Sequence, residues 1–142
     1  MEYTRDHFII SNDPSRLDID EVCRFLSRAY WADKRPREAI ERSIRHSLNF
    51  GIYDGDRQIG FARVLSDRAV FAYLMDVFVH EDYRGKGLGK WLMECITAHP
   101  DLQEIRRWVL ATKDAHGLYR QFGFTELDDP SLWMHKFDPG KG

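Results

Sequence analysis

The sequence is most constrained by a glycine-rich segment that joins a strand-like run to a helix-like run. Residues 69–79 form a long aromatic and β-branched run that predicts a buried central strand, and residues 88–98 have the character of a helix. Gly85, Gly87 and Gly89 lie where the two runs meet. Glycine lacks a Cβ atom and tolerates positive φ, so such a turn leaves the first amides of the helix open to an anion. The segment therefore predicts a strand–turn–helix unit with an anion site at its bend.

Spacing excludes two familiar kinds of nucleotide-binding loop. A P-loop needs four residues between its first glycine and a Gly-Lys-Ser/Thr triplet, whereas Gly85 and Gly89 enclose three. In addition, Lys90 is followed by Trp91, and a dinucleotide fingerprint beginning at Gly85 would need glycine where Lys90 stands. Two interpretations stay open here: a phosphate loop of another class, or a turn that only starts a helix.

The first half of the chain predicts a strand, two helices and a hairpin. Residues 7–10 are expected to form a short strand. A helix follows the acidic segment 18–21, whose charge suits the positive end of a helix, and a second amphipathic helix begins at Arg35-Pro36. Asp54-Gly55 lies between two runs of period two and is a strong hairpin signal. An antiparallel meander is therefore expected to lead into the central strand.

Three further elements are predicted after the glycine segment. Residues 108–111 are expected to form a strand, and residues 115–122 a short helix ended by Gly123. Residues 132–137 are expected to form a terminal strand, followed by a frayed end over 138–142. Strands and helices together predict an α/β (α+β) fold.

Composition limits the partners and the compartment. A chain of 142 residues with 43% hydrophobic and 31% charged residues is expected to fold as one domain, 1–142, with its core at about 7–137. A formal charge of −2 argues against attraction of the whole molecule to nucleic acid or to an anionic membrane. Cys23 and Cys95 are expected to be structural thiols, and the polar segment 1–7 predicts a cytoplasmic protein. No histidine spacing typical of zinc occurs, so no metal is expected.

Three segments in this order resemble the GNAT family of N-acetyltransferases. Residues 84–89, Arg-Gly-Lys-Gly-Leu-Gly, satisfy the family signature Gln/Arg-x-x-Gly-x-Gly/Ala. Residues 74–83 resemble the family's fourth strand, residues 118–124 resemble its Tyr-x-x-x-Gly-Phe element, and the match covers most of residues 50–137. The resemblance implies acetyl-CoA as the acyl donor. It also implies one mixed, mostly antiparallel twisted sheet of roughly six to seven strands, flanked by about four helices, with a splayed parallel central pair.

The resemblance also assigns the donor site. Backbone groups of Val77, Phe78 and Val79 are implied to bind the pantetheine arm and the thioester carbonyl, because a splayed strand has buried amides to satisfy. An ordinary central strand is the alternative. The pyrophosphate is assigned to Arg84, Gly85, Lys86, Gly87, Leu88, Gly89 and Lys90. Further pantetheine contacts are assigned to Thr112, Asp114 and His116, although many family members carry Asn where Thr112 stands.

Two residues are candidates for the proton transfers. Tyr119 occupies the family's general-acid position, where its phenol would protonate the departing thiolate or hold it by a hydrogen bond; a tyrosine packed in the core is the alternative. Asp76 is our choice of general base, because it lies in an apolar strand just before the expected bulge. An aspartate that caps an amide or pairs with an arginine is the competing interpretation. His80, Glu81 and His116 are the reserves.

The resemblance implies an acceptor that is a primary amine of a small molecule or peptide, bound by the first helices and the terminal strands. The candidate lining residues are Tyr30, Trp31, Arg35, Phe71, Tyr73 and Trp133. Aromatic faces suit a cationic or aromatic amine, and the same residues serve equally well as core. A homodimer is an expectation carried by the family alone.

Two other functions compete with acyl transfer. One is an acyl-CoA-binding sensor of the same fold without turnover, against which the retained Tyr119 argues. The other is nucleic-acid binding through basic residues with interleaved tryptophans, opposed by the acidic overall charge. The residues concerned are Arg84, Lys86, Lys90, Arg106 and Arg107, with Trp91 and Trp108.

Overall fold

The computed structural model describes all residues, 1–142. Its strands are Glu2–Arg5 (β1), Phe8–Ser11 (β2), Leu48–Asp54 (β3), Arg57–Ser66 (β4), Phe71–Val79 (β5) and Arg107–Val109 (β6). Its α-helices are Ile19–Ser27 (α1), Arg37–Arg45 (α2), Leu88–Thr97 (α3) and His116–Arg120 (α4). None of these helices is long and apolar enough to cross a membrane.

The strands form one six-stranded sheet in the order β1-β2-β3-β4-β5-β6. The first four pairings are antiparallel and the last, β5 with β6, is parallel. The parallel pair has only three partnered positions and ends at Tyr73 and Val109, so the rest of β5 has no strand on that side. The expected mixed sheet with a splayed parallel pair is therefore confirmed.

The larger core lies between one face of the sheet and helices α3 and α4. It contains Ile52, Val64 and Leu74 from the sheet, with Leu92 and Ile96 of α3. Leu92 and Ile96 have no exposed surface, and burying each such side chain contributes about 1.5–3 kcal/mol. This packing fixes where α3 begins, and therefore where its free amides point.

A smaller core covers the other face of the sheet beneath α1 and α2. Val22 and Phe25 of α1 and Ile40 of α2 pack against Phe61 of β4. Phe78 of β5 adds to this cluster by stacking on Phe25, with ring centroids 4.5 Å apart. The two helices are thereby held against the strand that carries the candidate donor-binding backbone.

A bulge interrupts β5 at Asp76. The pairing of β4 with β5 shifts register between Phe61 and Arg63. Asp76 has φ +55°, a left-handed conformation that aspartate adopts more readily than most residues. The extra residue of the bulge reverses which side chains point to which face of the sheet. Leu74 and Val77 therefore both contact the larger core, although residues three apart in a regular strand point to opposite faces.

Most predicted elements are present, with shifted ends. The predicted strand at 7–10 is β2, the strand at 108–111 is β6, and the helix at 115–122 shrinks to α4. The hairpin turn has φ +61° at Gly55, and the chain leaves α4 through Gly123 at φ +88°. Strand β1 was not predicted from the sequence, because its four residues, Glu-Tyr-Thr-Arg, include two charged ones and have no apolar alternation.

The predicted terminal strand at 132–137 is wrong. Only a 3-10 turn, Pro130–Leu132, is regular in this part of the chain. Leu132, Met134 and Phe137 are 77%, 95% and 73% exposed, so their spacing marks no buried face. No strand pairs with the outer edge of β6, the last strand of the sheet, so residues 132–137 join no ladder.

Candidate functional site

The loop between β5 and α3 presents a run of unpaired backbone amides. None of the amides of residues 85–90 has an acceptor in the protein, and helical bonding starts with the Trp91 amide on the Gly87 carbonyl at 3.0 Å. Gly85 and Gly87 have φ of +80° and +75°, and Gly87 is the residue that caps α3. A Cβ atom on either glycine would meet no protein atom within 4 Å. The space beside these amides is therefore open to a ligand anion.

Cationic side chains surround this loop, and one of them is hydrogen-bonded to the end of β5. Arg84, Lys86 and Lys90 are exposed around it, and Arg84 donates from Nε to the Val79 carbonyl at 3.3 Å. Leu88, by contrast, is buried in the larger core, so only its backbone can serve a ligand. The loop thus combines a fixed helix start with exposed cationic side chains around it.

The second element is the free edge of β5. The backbone N–H groups of successive strand residues point alternately to the two edges of the strand. The His80 amide points toward β4, because it donates to the Ile59 carbonyl at 2.7 Å. The Val79 amide then points to the side where β6 has ended. The side chains of Val77 and Val79 pack on the larger core and that of Phe78 on the smaller one. This edge can pair with an extended ligand that carries amide groups.

Tyr119 lies in α4 and is 7% exposed, with Phe124 as its aromatic neighbour at 5.9 Å. Burial raises the pKa of the Tyr119 phenol, and the negative charge of Asp114 raises it further. The hydroxyl has no hydrogen-bond partner in the protein and is not enclosed. The ring is thus packed in the core, as the alternative interpretation had it, while the hydroxyl is free to meet a ligand. The phenol lines a cavity of about 280 Å³ beside β6.

The residues before Tyr119 divide into different roles. Thr112 accepts a hydrogen bond from the Ala115 amide at 3.1 Å, so its hydroxyl caps the start of α4. His116 is exposed and lines the same cavity as Tyr119. Asp114 is exposed and acts on Tyr119 through its charge. Of the three assigned to pantetheine, His116 is therefore the one whose side chain is free at the cavity.

Asp76 is at the centre of a buried ion cluster. Its Oδ2 accepts from Arg35 Nη1 at 2.8 Å and from Arg63 Nε at 3.0 Å, and its Oδ1 accepts from Trp31 Nε1 at 3.1 Å. The carboxylate is 1% exposed. Because three donors occupy its oxygens and two of them are cations, the group has little capacity to accept a substrate proton. This geometry supports the ion-paired interpretation of Asp76 and argues against its use as a base.

Of the three reserve bases, His80 and Glu81 are placed less favourably for proton transfer than His116. His80 accepts from the Asp82 amide through Nδ1 at 3.1 Å, and its ring lies between Phe25 and Tyr83. Glu81 is exposed in the 3-10 turn that precedes the glycine loop. His116, on the cavity beside Tyr119, has no such hydrogen bond to hold its ring.

The six acceptor candidates separate into two groups. Trp31 and Arg35 meet at Asp76, and Tyr30 makes an edge contact with Trp31 at 5.2 Å. Phe71 and Trp133 lie instead near Arg107, at the start of β5. Tyr73, partly buried, is the last residue of β5 that pairs with β6.

Most of these six residues are not core. Tyr30 is 66% exposed, Trp31 45% and Trp133 39%. Trp31 and Arg35 belong to the α1–α2 connection, which faces the bulge of β5. This connection therefore contacts β5 at its bulge, next to the free edge of the strand.

Single residues bear on two further expectations, nucleic-acid binding and structural cysteines. Trp91 is 5% exposed in the larger core, so it cannot stack on a nucleic-acid base. Cys95 is 3% exposed, and burial raises the pKa of its thiol to about 12, as suits a packing cysteine. No three His, Cys, Asp or Glu side chains are grouped so as to share a metal ion.

Sequence reasoning missed Arg63, which is 6% exposed within β4. Its guanidinium donates to Asp76, to Ser47 Oγ at 2.9 Å and to Met75 Sδ at 3.0 Å. The sequence does contain an indication of this pair, because one apolar strand contains an arginine and the next contains an aspartate. If both side chains are buried, each charge requires the other as a partner.

Comparison with known proteins adds an independent finding. A family model described as an acetyltransferase (GNAT) domain matches residues 45–126. The matched range contains β4, β5, the glycine loop and α4, which are the elements that build the site.

Individual proteins show the same similarity. The N-acetyltransferase ycf52 of Porphyra purpurea, itself uncharacterized, is 35% identical over 84% of this chain and 70% of that protein. A protein of Gibberella zeae named as an acetyltransferase is 28% identical over 84% of this chain and 79% of that protein. The crystal structure of a protein from Xanthomonas campestris pv. campestris, assigned to the GNAT acetyltransferases, is 48% identical. It superposes with a TM-score of 0.92 and covers 96% of this chain and 97% of that one.

Proposed function

The chain belongs to the GNAT acetyltransferase family, and from this premise we propose that it moves an acetyl group from acetyl-CoA to a primary amine of a small molecule or peptide. The reaction is direct attack in a ternary complex. The proposal rests on the run of unpaired amides at 85–90, which follows the free edge of β5 along the chain. A phosphate-bearing donor with an amide-containing arm matches both features.

The glycine loop recognises the pyrophosphate of CoA in this proposal. The amides of Gly85, Gly87 and Gly89 donate to phosphate oxygens, and the positive end of the α3 dipole adds to the attraction. Arg84 and Lys86, on the rim, contribute salt-sensitive charge. Each charge-assisted hydrogen bond of this kind contributes about 1.5–3 kcal/mol.

The free edge of β5 holds the pantetheine arm and the thioester. The Val79 amide and its neighbours on that edge pair with the arm as a partner strand would, since β6 has ended at Val109. The bulge at Asp76 turns the chain just before Val77, so that its backbone donor is available to the thioester carbonyl.

Bond making and breaking then follow from these positions. The neutral amine attacks the thioester carbonyl carbon, so that a C–N bond forms and the C–S bond breaks. The amine nitrogen loses a proton to water or to His116. Tyr119 donates a hydrogen bond to the departing sulfur. Because the pKa of the phenol is raised above its usual value while a thiol titrates near 8.5, Tyr119 stabilises the thiolate more readily than it protonates it fully.

A thiol-release assay with acetyl-CoA against a panel of amines tests the proposal. The panel contains polyamines, amino acids, aminoglycosides, aryl amines and peptides. We expect amine-dependent release of free CoA and an acetylated amine of matching amount by mass spectrometry. CoA binding without release for any amine would instead support the acyl-CoA sensor, the alternative function of this fold.

A further inference from the structure

The ion cluster at Asp76 has an unbalanced charge. Two guanidinium groups, those of Arg35 and Arg63, share a single carboxylate, and the C-terminal residue Gly142 lies against the Arg35 backbone without forming an ion pair with its side chain, so one positive charge has no ion-pair partner. The side chains of Arg35, Arg63 and Asp76 are 12%, 7% and 1% exposed. An uncompensated cation in so enclosed a place is costly unless an anion joins it.

The two arginines differ in how many of their donors are used. Arg63 directs Nε to Asp76, Nη1 to Ser47 and Nη2 to Met75. Arg35 uses only Nη1, on Asp76, and its Nε and Nη2 have no partner in the protein and are not sealed from solvent. The surplus charge therefore has its free donors on Arg35.

Arg35 also lies at the right place to meet an acceptor. Its partner Asp76 directly precedes Val77, where the proposed thioester-binding edge begins. Trp31, which donates to the same carboxylate and is 45% exposed, forms the adjoining wall. Trp31 and Arg35 are thus held together on the carboxylate of the residue that precedes Val77.

We propose that Arg35 binds the carboxylate of the acceptor, so that the preferred substrates are amines that also carry a carboxylate. This inference rests on the proposed acetyl transfer and names the substrate class of that site. A planar carboxylate matches the two free donors of a guanidinium side by side. Asp76 acts as a positioning residue, because it holds Arg35 by one nitrogen and leaves the others to the ligand.

Matched pairs of acceptors test this directly. 4-Aminobutyrate is compared with butylamine, and phenylalanine with phenethylamine, by kcat/KM for thiol release at one pH and with saturating acetyl-CoA. We expect the carboxylated member of at least one pair to be preferred by about 10- to 100-fold, the range of a charge-assisted hydrogen bond. Arg35→Gln should bring that ratio close to one, mainly through KM.

Two variants keep the result interpretable. Arg45→Gln removes an exposed arginine at the end of α2 and should keep the wild-type ratio. Arg35→Lys keeps the charge but not the planar fork, and an intermediate ratio is expected even where Arg35→Gln fails to give a cooperative melt.

Each remaining outcome is decisive. Thiol release with no preference in either pair overturns this inference and leaves acetyl transfer standing. An unchanged preference in Arg35→Lys and Arg35→Gln assigns it to other residues and overturns the inference as well. No release with any amine removes the proposed function, and this inference with it.

Discussion

Gly87→Glu is expected to abolish CoA binding while the domain still folds. Gly87 has φ +75° and caps α3, and the space beside it is free of protein atoms. A glutamate side chain would fill the proposed phosphate position and bring a like charge to it. Loss of several charged hydrogen bonds should weaken binding by more than about 100-fold. Calorimetric titration of CoA, with circular dichroism of the variant, measures both parts of this prediction.

Gly55→Glu is the matched control for that variant. Gly55 also has positive φ, +61°, and open space around its missing Cβ, and it lies in the β3–β4 hairpin. It carries the same backbone strain, about 1–2 kcal/mol, and the same added charge. The control should bind CoA as the wild type does. Native structure with undiminished CoA affinity in Gly87→Glu would show that the phosphates bind elsewhere.

Tyr119→Phe is expected to separate chemistry from binding. The substitution keeps the ring and its contact with Phe124 but removes the hydroxyl that we propose donates to the departing sulfur. Loss of a general acid or of an equivalent hydrogen bond costs on the order of 10² to 10⁴ in rate. We therefore expect kcat with a good acceptor to fall by about that factor while CoA affinity changes little.

Two further measurements sharpen the Tyr119 prediction. The defect should shrink with acyl donors whose thiols are more acidic, because these leave with less help. Since burial raises the pKa of the phenol, any loss of kcat from Tyr119 ionisation should occur at a higher pH than the ordinary pKa of tyrosine, about 10, would give. If kcat in Tyr119→Phe stays within roughly twofold under chemistry-limited conditions, His116 or water takes its role.

Local signals predicted the parts of the fold that local physics determines. Asp54-Gly55 gave the hairpin because few other dipeptides adopt its turn, and the glycines at 85, 87 and 89 marked the start of α3. Such signals depend on residues within one turn or one strand, and they also gave the order of most elements along the chain. The splayed parallel pair came instead from the resemblance to the family.

Features that depend on distant partners were predicted less well. Asp76 drew attention as a charge in an apolar strand, but its role depends on Arg63 from β4 and Arg35 from the α1–α2 connection. The spacing of residues within one strand does not indicate which residues of other elements will contact it. The apolar residues at 132–137 were wrongly predicted as a strand, because apolar character alone does not show whether a segment pairs with the sheet, and here it stays exposed.

Calorimetric titration of the wild-type protein with acetyl-CoA is the most direct test of whether the glycine loop binds the phosphates of CoA. We expect one site per chain, an affinity that weakens as salt rises because the recognition is partly ionic, and weaker binding of dephospho-CoA. The absence of any binding at low salt would contradict the account, and the loop would then be a turn that only starts a helix.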